Sequence, residues 1–372
     1  MPRLLPRAIA ALLVAVTAAA QETIKVGEYA SLTGKEATYG QASHQGTLLA
    51  VEQINARGGV LGRQLELLTE DDQSKQGEAA TAVKKLISRD KVVAMLGEVA
   101  SIRSLEAAPV LQHARIPMVS PSSVNAKVTE VGDCIFRVCF IDSFEGPLLA
   151  RFVRESLHAG RVAILTSVSN AYSVGMTRFF KERYLADGGT VVAEQRYTEG
   201  DKDFRAQLTA IKAAGADAIF ASGYYTEAAL ICLQARQLGL TVPVFGGDGW
   251  DSPALLEIGG AAMEGTYFAT HFSPDNPSPA VQHFNQEYRA RWGTMPDAMA
   301  ALGYDSALVL VDAIARAGAA EPAKIRDALA ATKDFPAVTG RITLDARRNA
   351  AKPAVILTVK DGRYQFLTAA TP

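Results

Sequence analysis

Hydroxyl, aromatic and acidic side chains recur in this sequence where apolar runs end, and their types suit binding better than bond-breaking. Ser31-Leu32-Thr33-Gly34 and Tyr39-Gly40 follow one run, Glu98-Val99-Ala100-Ser101 a second, and Ser120-Pro121-Ser122-Ser123 a third. Further along come Ser167 to Tyr172, Gly223-Tyr224-Tyr225-Thr226-Glu227 and Gly247-Asp248-Gly249-Trp250. Serine hydroxyls and a free helix N-terminus, with Ser101 as its N-cap, suit an anion such as a carboxylate. Asp248 and the aromatic rings suit an ammonium, by charge and by cation–π attraction. A zwitterion held between the two sets uses both. Plainer roles compete at each position: Ser101 as only a cap, Ser122 and Ser123 as turn residues, the tyrosines as buried rings, Asp248 as a turn former. Their joint placement at successive run ends favours a site.

Catalytic motifs are scarce. Gly34-Lys35 after Gly27 lacks phosphate-loop spacing, and Glu36 stands where Ser or Thr should ligate magnesium. Gly246-Gly247-Asp248-Gly249 lacks the third glycine of a dinucleotide loop. His44, His113, His158, His271 and His283 show no i, i+4 pair and no cysteine neighbour at zinc spacing. Glu70-Asp71-Asp72 has no further oxygen ligands at loop spacing, which favours a solvated loop over a cation site. No metal and no cofactor are expected. The competing reading is a secreted α/β enzyme with Asp248 or Glu227 as general base.

The elements that position these residues alternate. Strand patterns at Thr23–Tyr29, Leu65–Leu68, Val92–Gly97 and Pro117–Ser120 are separated by helix patterns at Gln41–Ala56, Gln76–Arg89 and Ser101–His113. A second series follows the Asp142-to-Pro147 segment. Its strands are Arg161–Thr166, Thr190–Arg196, Asp217–Ala221 and Val242–Gly246; its helices are Tyr172–Ala186, Phe204–Ala213 and Thr226–Leu238. Such alternation builds parallel sheets covered on both faces. Two series predict two doubly wound α/β lobes, in which ligands bind beyond the carboxyl ends of the strands. Helix patterns at Pro279–Trp292, Ala298–Ala317 and Pro322–Thr332 come next, then strands at Gly340–Leu344 and Val355–Val359 with a turn signal at Asp361-Gly362.

Composition bounds the rest. The 372 residues are 48% hydrophobic and carry 38 basic against 39 acidic side chains, which excludes global disorder and argues against a nucleic-acid partner. Arg3 and Arg7 precede an apolar stretch, Ala8 to Ala20, that ends in Ala18-Ala19-Ala20. This predicts an export signal over residues 1–20, leaving 36 basic against 39 acidic residues in the mature chain. No later segment is expected to span a membrane. Cys134, Cys139 and Cys232 are read as buried hydrophobes, because extended chain holds the first two too far apart to bridge.

The chain resembles, along nearly its whole length, the periplasmic branched-chain amino-acid-binding proteins of ABC importers, which have the type I periplasmic binding protein fold. The residues that carry the resemblance include Gly40, Ile54-Asn55-Ala56-Arg57-Gly58-Gly59-Val60-Leu61-Gly62, Asp71-Asp72 and Gly97 to Ser101. They continue with Pro117-Met118-Val119-Ser120-Pro121, Asp201-Lys202-Asp203-Phe204, Gly223-Tyr224, Gln234 to Gly239 and Met295-Pro296. The resemblance implies two lobes joined by three crossovers, one lobe from 21–142 plus 272–345 and the other from 143–271 plus 346–372. It implies an amino-acid ligand of the branched-chain class, no chemistry, a periplasmic location, and delivery to membrane permease subunits. In its terms Ser101 and the backbone at Ser122, beside Ala100, bind the carboxylate. Asp248 holds the ammonium with help from Tyr224, while Tyr39 and Tyr172, with Trp250 nearby, wall the side chain. Val124 departs from the family's usual Thr, so Ser123 is expected to replace its hydroxyl unless the ligand is an amide or an aromatic acid.

Overall fold

The structure is a computed structural model that describes residues 22–371; the expected export signal lies outside the described residues. The chain opens with β1 (Ile24–Ala30), α1 (Ala37–Ala56), β2 (Leu65–Asp71), α2 (Glu78–Lys85) and β3 (Ala94–Leu96). It continues with α3 (Ser101–Ala114), β4 (Met118–Ser120), α4 (Lys127–Glu130) and β5 (Ile135–Arg137). These strands form a parallel sheet in the order β2-β1-β3-β4-β5. Its residues alternate between two cores: Ala94, Leu96, Val119 and Phe136 face one, while Met95, Met118 and Ile135 face the other. Strands sandwiched this way carry apolar residues on both faces, which is why they read as continuous hydrophobic runs.

A second series follows: α5 (Asp142–Glu155), β6 (Arg161–Ser167), α6 (Ala171–Ala186), β7 (Thr190–Tyr197), α7 (Arg205–Ala214) and β8 (Ala218–Ser222). Then come α8 (Tyr225–Gln237), β9 (Val244–Gly246), α9 (Pro253–Gly259) and β10 (Tyr267–Thr270). Next are α10 (Pro279–Trp292), α11 (Ala298–Ala317), α12 (Pro322–Ala330), β11 (Phe335–Ala337), β12 (Gly340–Leu344) and β13 (Ala350–Ala351). The described chain closes with β14 (Ala354–Lys360) and β15 (Arg363–Ala370). The second sheet runs β15-β14-β10-β9-β8-β6-β7, parallel except for β14, which pairs antiparallel with both β10 and β15. A small antiparallel sheet, β11-β12-β13, lies between the last helices and the final hairpin.

The chain passes between the two halves three times: after β5, after β10 when α10 and α11 return to α1, and before β14 rejoins the second sheet. Two α/β lobes joined by three crossovers are therefore present. Several boundaries differ from the sequence reading. Helix α1 begins at Ala37, four residues early, because its first turns bury Tyr39, Gly40, Ser43, Gly46 and Thr47, small or polar residues that show no apolar stripe. The helix expected over Gln76–Arg89 is α2 followed by a π-helical turn, Leu86–Asp90. Helix α5 went unrecognised because Gly146 and Pro147 interrupt its pattern, and β10 because it is only four residues long. All three cysteines are free and buried.

Helix α11 is long and apolar enough to cross a membrane by length and composition, contrary to expectation, but 78% of its most apolar window is buried inside the molecule. It crosses α1 at backbone contact. A Cβ on Gly46 would sit 1.9 Å from the Ala300 carbonyl oxygen, and one on Gly303 would sit 2.1 Å from that of Ser43. Alanine is favoured over glycine in a helix by about 1 kcal/mol, whereas overpacking a close contact costs about 1–3 kcal/mol or more. The clash wins. Gly303→Ala is expected to lower unfolding stability in urea by at least about 1 kcal/mol; a gain would show that the two helices are free to separate.

Candidate functional site

The carboxyl ends of both sheets face one another across a small, nearly shut cavity. From the first lobe it is lined by Tyr39, Val99, Ser101, Ser122 and Met299; from the second by Tyr172, Tyr224, Asp248 and Gly249. Six of the ten sequence candidates thus converge: Tyr39, Ser101, Ser122, Tyr172, Tyr224 and Asp248. Val99 and Met299 supply apolar wall that the reading of candidate residues missed. Met299 begins the returning helix α11, so no strand-end signal marks it.

The first-lobe end of the cavity is a helix start. Ala100, not Ser101, is the N-cap of α3, and no side chain caps it. Ser101 is therefore the first helical residue, and its Oγ accepts the Asn125 N–H (3.2 Å), which leaves its own proton available. The first four N–H groups of a helix lack intrahelical partners. Those of Arg103 and Ser104 turn back to the Ala100 carbonyl, leaving Ser101 and Ile102 to present theirs. The Ala100 N–H is already committed to the Glu98 carboxyl group.

The second-lobe end is Asp248, 3% exposed. It begins a tight helical turn, Asp248–Trp250, and its N–H donates to Glu145 Oε1 (2.7 Å). Ser122 Oγ donates across the cleft to Asp248 Oδ2 (3.3 Å), and His271 Nε2 lies 3.0 Å from the same oxygen. Asp248 Oδ1 has no partner among the described residues. The donor end and the acid end therefore lie within one hydrogen bond of each other.

Between them stand aromatic walls. Tyr172 and Tyr224 stack with centroids 5.3 Å apart, and Tyr39 meets Tyr224 edge-on at 5.4 Å. Gly249 N–H donates to the Tyr172 hydroxyl (3.1 Å), while the Tyr39 hydroxyl donates to the Gly249 carbonyl. Burial pushes all three phenols well above their ordinary value, so they remain protonated.

Four candidates lie outside the cavity lining. Trp250 is fully buried in the lobe core, where its Nε1 donates to the Ala221 carbonyl (3.1 Å). Its indole needs the missing side chain of Gly246, whose Cβ would come within 2.2 Å of the ring. Ser123 Oγ is occupied by the Glu98 carbonyl (2.8 Å) and Ser104 Oγ (2.7 Å), so it does not replace a cavity hydroxyl. Val124 is fully buried, and its carbonyl accepts the Asp142 N–H. Ala100 is buried at the cap. Glu227, the other candidate base, accepts the Gly200 N–H (2.7 Å) away from the cavity.

Behind the helix start, Glu36, Asp72 and Glu98 are buried around Ser31. Ser31 N–H donates to Glu98 Oε1 (3.0 Å) and Ser31 Oγ to Asp72 Oδ1 (2.7 Å). Burial, more than their mutual repulsion, raises all three carboxyl pKa values, that of Glu36 to about 7. Arg103 pairs with Glu36 (3.4 Å). At the cleft mouth a clasp ties the lobes together. Lys35 pairs with Glu199, Thr38 Oγ1 donates to the Tyr225 hydroxyl (2.9 Å), and that hydroxyl donates to the Lys35 carbonyl (2.8 Å).

Known proteins share this architecture. The family described as periplasmic binding protein matches residues 23–363. A leucine-, isoleucine-, valine-, threonine- and alanine-binding protein of Pseudomonas aeruginosa is 30% identical over 329 residues, 88% of this chain and 87% of that protein. The structure of a leucine-binding protein from Thermotoga maritima superposes with a TM-score of 0.91 at 40% identity, covering 94% of this chain and 99% of that one. The branched-chain amino acid transporter substrate-binding protein of Streptococcus pneumoniae, in complex with isoleucine, gives 0.90 at 35% identity, covering 94% and 100%.

Proposed function

The chain belongs to the periplasmic binding protein family, and we propose that it is the receptor of an ABC importer for one α-amino acid with a branched aliphatic side chain. One observation carries this reading: Asp248 lies a hydrogen bond from Ser122 in a cavity that Ser101 also lines. An α-amino acid bears its two charges on a single carbon, so its ammonium and carboxylate meet such adjacent groups. Val99, Met299 and the tyrosines then enclose an apolar side chain. The named ligands of the relatives support the same class.

The receptor captures its ligand by rotation of the rigid units 21–142 with 272–345 and 143–271 with 346–372 about the crossovers. It releases the ligand unchanged to a membrane permease, and no bond is broken. Export with removal of residues 1–20 is supported by Arg3, Arg7 and the alanines before Gln21.

Leucine, isoleucine or valine at 100-fold its Kd is expected to stabilise the protein by about 2.7 kcal/mol in thermal unfolding. Asp248→Asn, which keeps the shape and removes the charge, is expected to weaken leucine binding by about 2–5 kcal/mol in calorimetry. A response to benzoate or an amide but to no amino acid would transfer the site to the other ligand class, and turnover of a bound compound would make the protein an enzyme. The clasp makes its own claim. Tyr225→Phe removes two cross-cleft hydrogen bonds, each worth about 1 kcal/mol, so leucine release in stopped-flow should quicken by roughly thirtyfold with little change in association. An unchanged release rate would show that the clasp does not hold the closed form.

A further inference from the structure

His271 ends the β10 side of the crossover and is fully buried, with no place in the cavity lining. Phe140 stacks on its ring at 3.6 Å between centroids. Its Nε2 faces Asp248 Oδ2 at 3.0 Å, and its Nδ1 has no partner among the described residues. Burial draws the imidazole down to about 4, against the opposing pull of Asp248. The charged groups around it are Asp248, Lys352 and, beyond Asp248, Glu145. Lys352 is itself drawn down to about 8 by burial, and burial pushes the Glu145 carboxyl well above the usual range, with Asp248 adding to the rise. A neutral imidazole must carry its one proton on the nitrogen that faces a carboxylate, since a bare Nε2 lone pair would repel it.

We propose that His271 is the positioning residue that selects a cationic ligand group: as the neutral Nε2–H tautomer it pins Asp248 Oδ2, turns Oδ1 to the ligand, and leaves the pair with one net negative charge. An imidazolium there would cancel that charge and remove the preference for an ammonium. Glu145 fixes the other side of the same residue by accepting its backbone N–H. The inference rests on the amino-acid reading above and names the group that enforces it.

A double-mutant cycle with leucine as probe, read by calorimetry and by NMR titration to millimolar concentrations, tests the proposal. His271→Leu should weaken leucine binding by at least about tenfold, because a hydrogen bond to a charged group is lost. The same change in the Asp248→Asn background should cost less than about twofold, since the two residues act as one unit. His271→Gln, which keeps an N–H donor without a titrating ring, should restore binding to near the wild-type value. Equal losses in both backgrounds, or no rescue by glutamine, would reduce His271 to a packing partner of Phe140 and overturn the proposal. Ring nitrogen NMR on the wild-type protein provides a reading independent of whether variants fold. The Nε2–H tautomer without titration between pH 5 and 8 is expected, and an imidazolium at pH 7 overturns the proposal. Absence of any amino-acid binding by the wild type would instead bring down the functional reading itself, and this inference with it.

Discussion

Enclosing Asp248 between two lobes is the constraint on which the rest of the site depends. A carboxylate taken out of water costs several kcal/mol even after the surroundings relax. Oδ2 receives Ser122 and faces His271, but Oδ1 receives nothing from the described residues. The cross-cleft clasp is too weak to offset that cost alone. A partly exposed ion pair such as Lys35–Glu199 contributes about 0–1 kcal/mol, and the Tyr225 hydrogen bonds about 1 kcal/mol each. A cation against Oδ1 changes the balance. On the proposed amino-acid reading, closure and ammonium recognition are then one event, in which the ligand shifts the population toward shut lobes by binding that form better.

The fold meets this constraint by geometry rather than by flexible side chains. Parallel strands end along a common edge, so one lobe can present a helix start and the other a tight acidic turn with no long-range bending. What completes the cavity wall is the crossover. Met299 stands about two hundred positions after Val99 in sequence, yet both line the cavity because α11 crosses α1 on two glycines. Packing between those helices therefore sets the depth of an apolar wall in the cavity.

Reading strand ends named Tyr39, Ser101, Ser122, Tyr172, Tyr224 and Asp248, which share one cavity lining, because in a parallel sheet that rule follows from topology and needs no side-chain detail. It misplaced Trp250 for a local reason. With about three residues per turn, the turn that aims Asp248 at the cleft carries a residue two positions later to another side, where Gly246 leaves room for the indole. It overlooked Glu145, in a helix whose sequence pattern Gly146 and Pro147 interrupt, and His271, which showed no partner at sequence spacing. Both act on Asp248 from elements that only the three-dimensional fold brings near. Val124 marks a similar limit: its missing hydroxyl suggested a lost donor, but the side chain is buried away from the cavity.

The anion end poses the converse problem, since a ligand carboxylate placed at the start of α3 sits in front of three buried acids. If all three were charged, their repulsion would outweigh the partial positive charge of one helix terminus, which is equivalent to roughly half an elementary charge. Burial prevents this. It pushes Glu98 well above the usual carboxyl range and Glu36 to about 7, which lowers the negative charge the cluster sets against an anion. Arg103, held by Glu36 and by the Ser74 carbonyl at 2.7 Å, adds a full positive charge on the same helix. The acids then serve as hydrogen-bond acceptors that fix the Ser31 and Ala100 backbone without opposing the ligand. On the proposed reading, the polarity that would sort the two ends of a zwitterion depends on how burial tunes these groups, and not only on the number of acidic residues on either side.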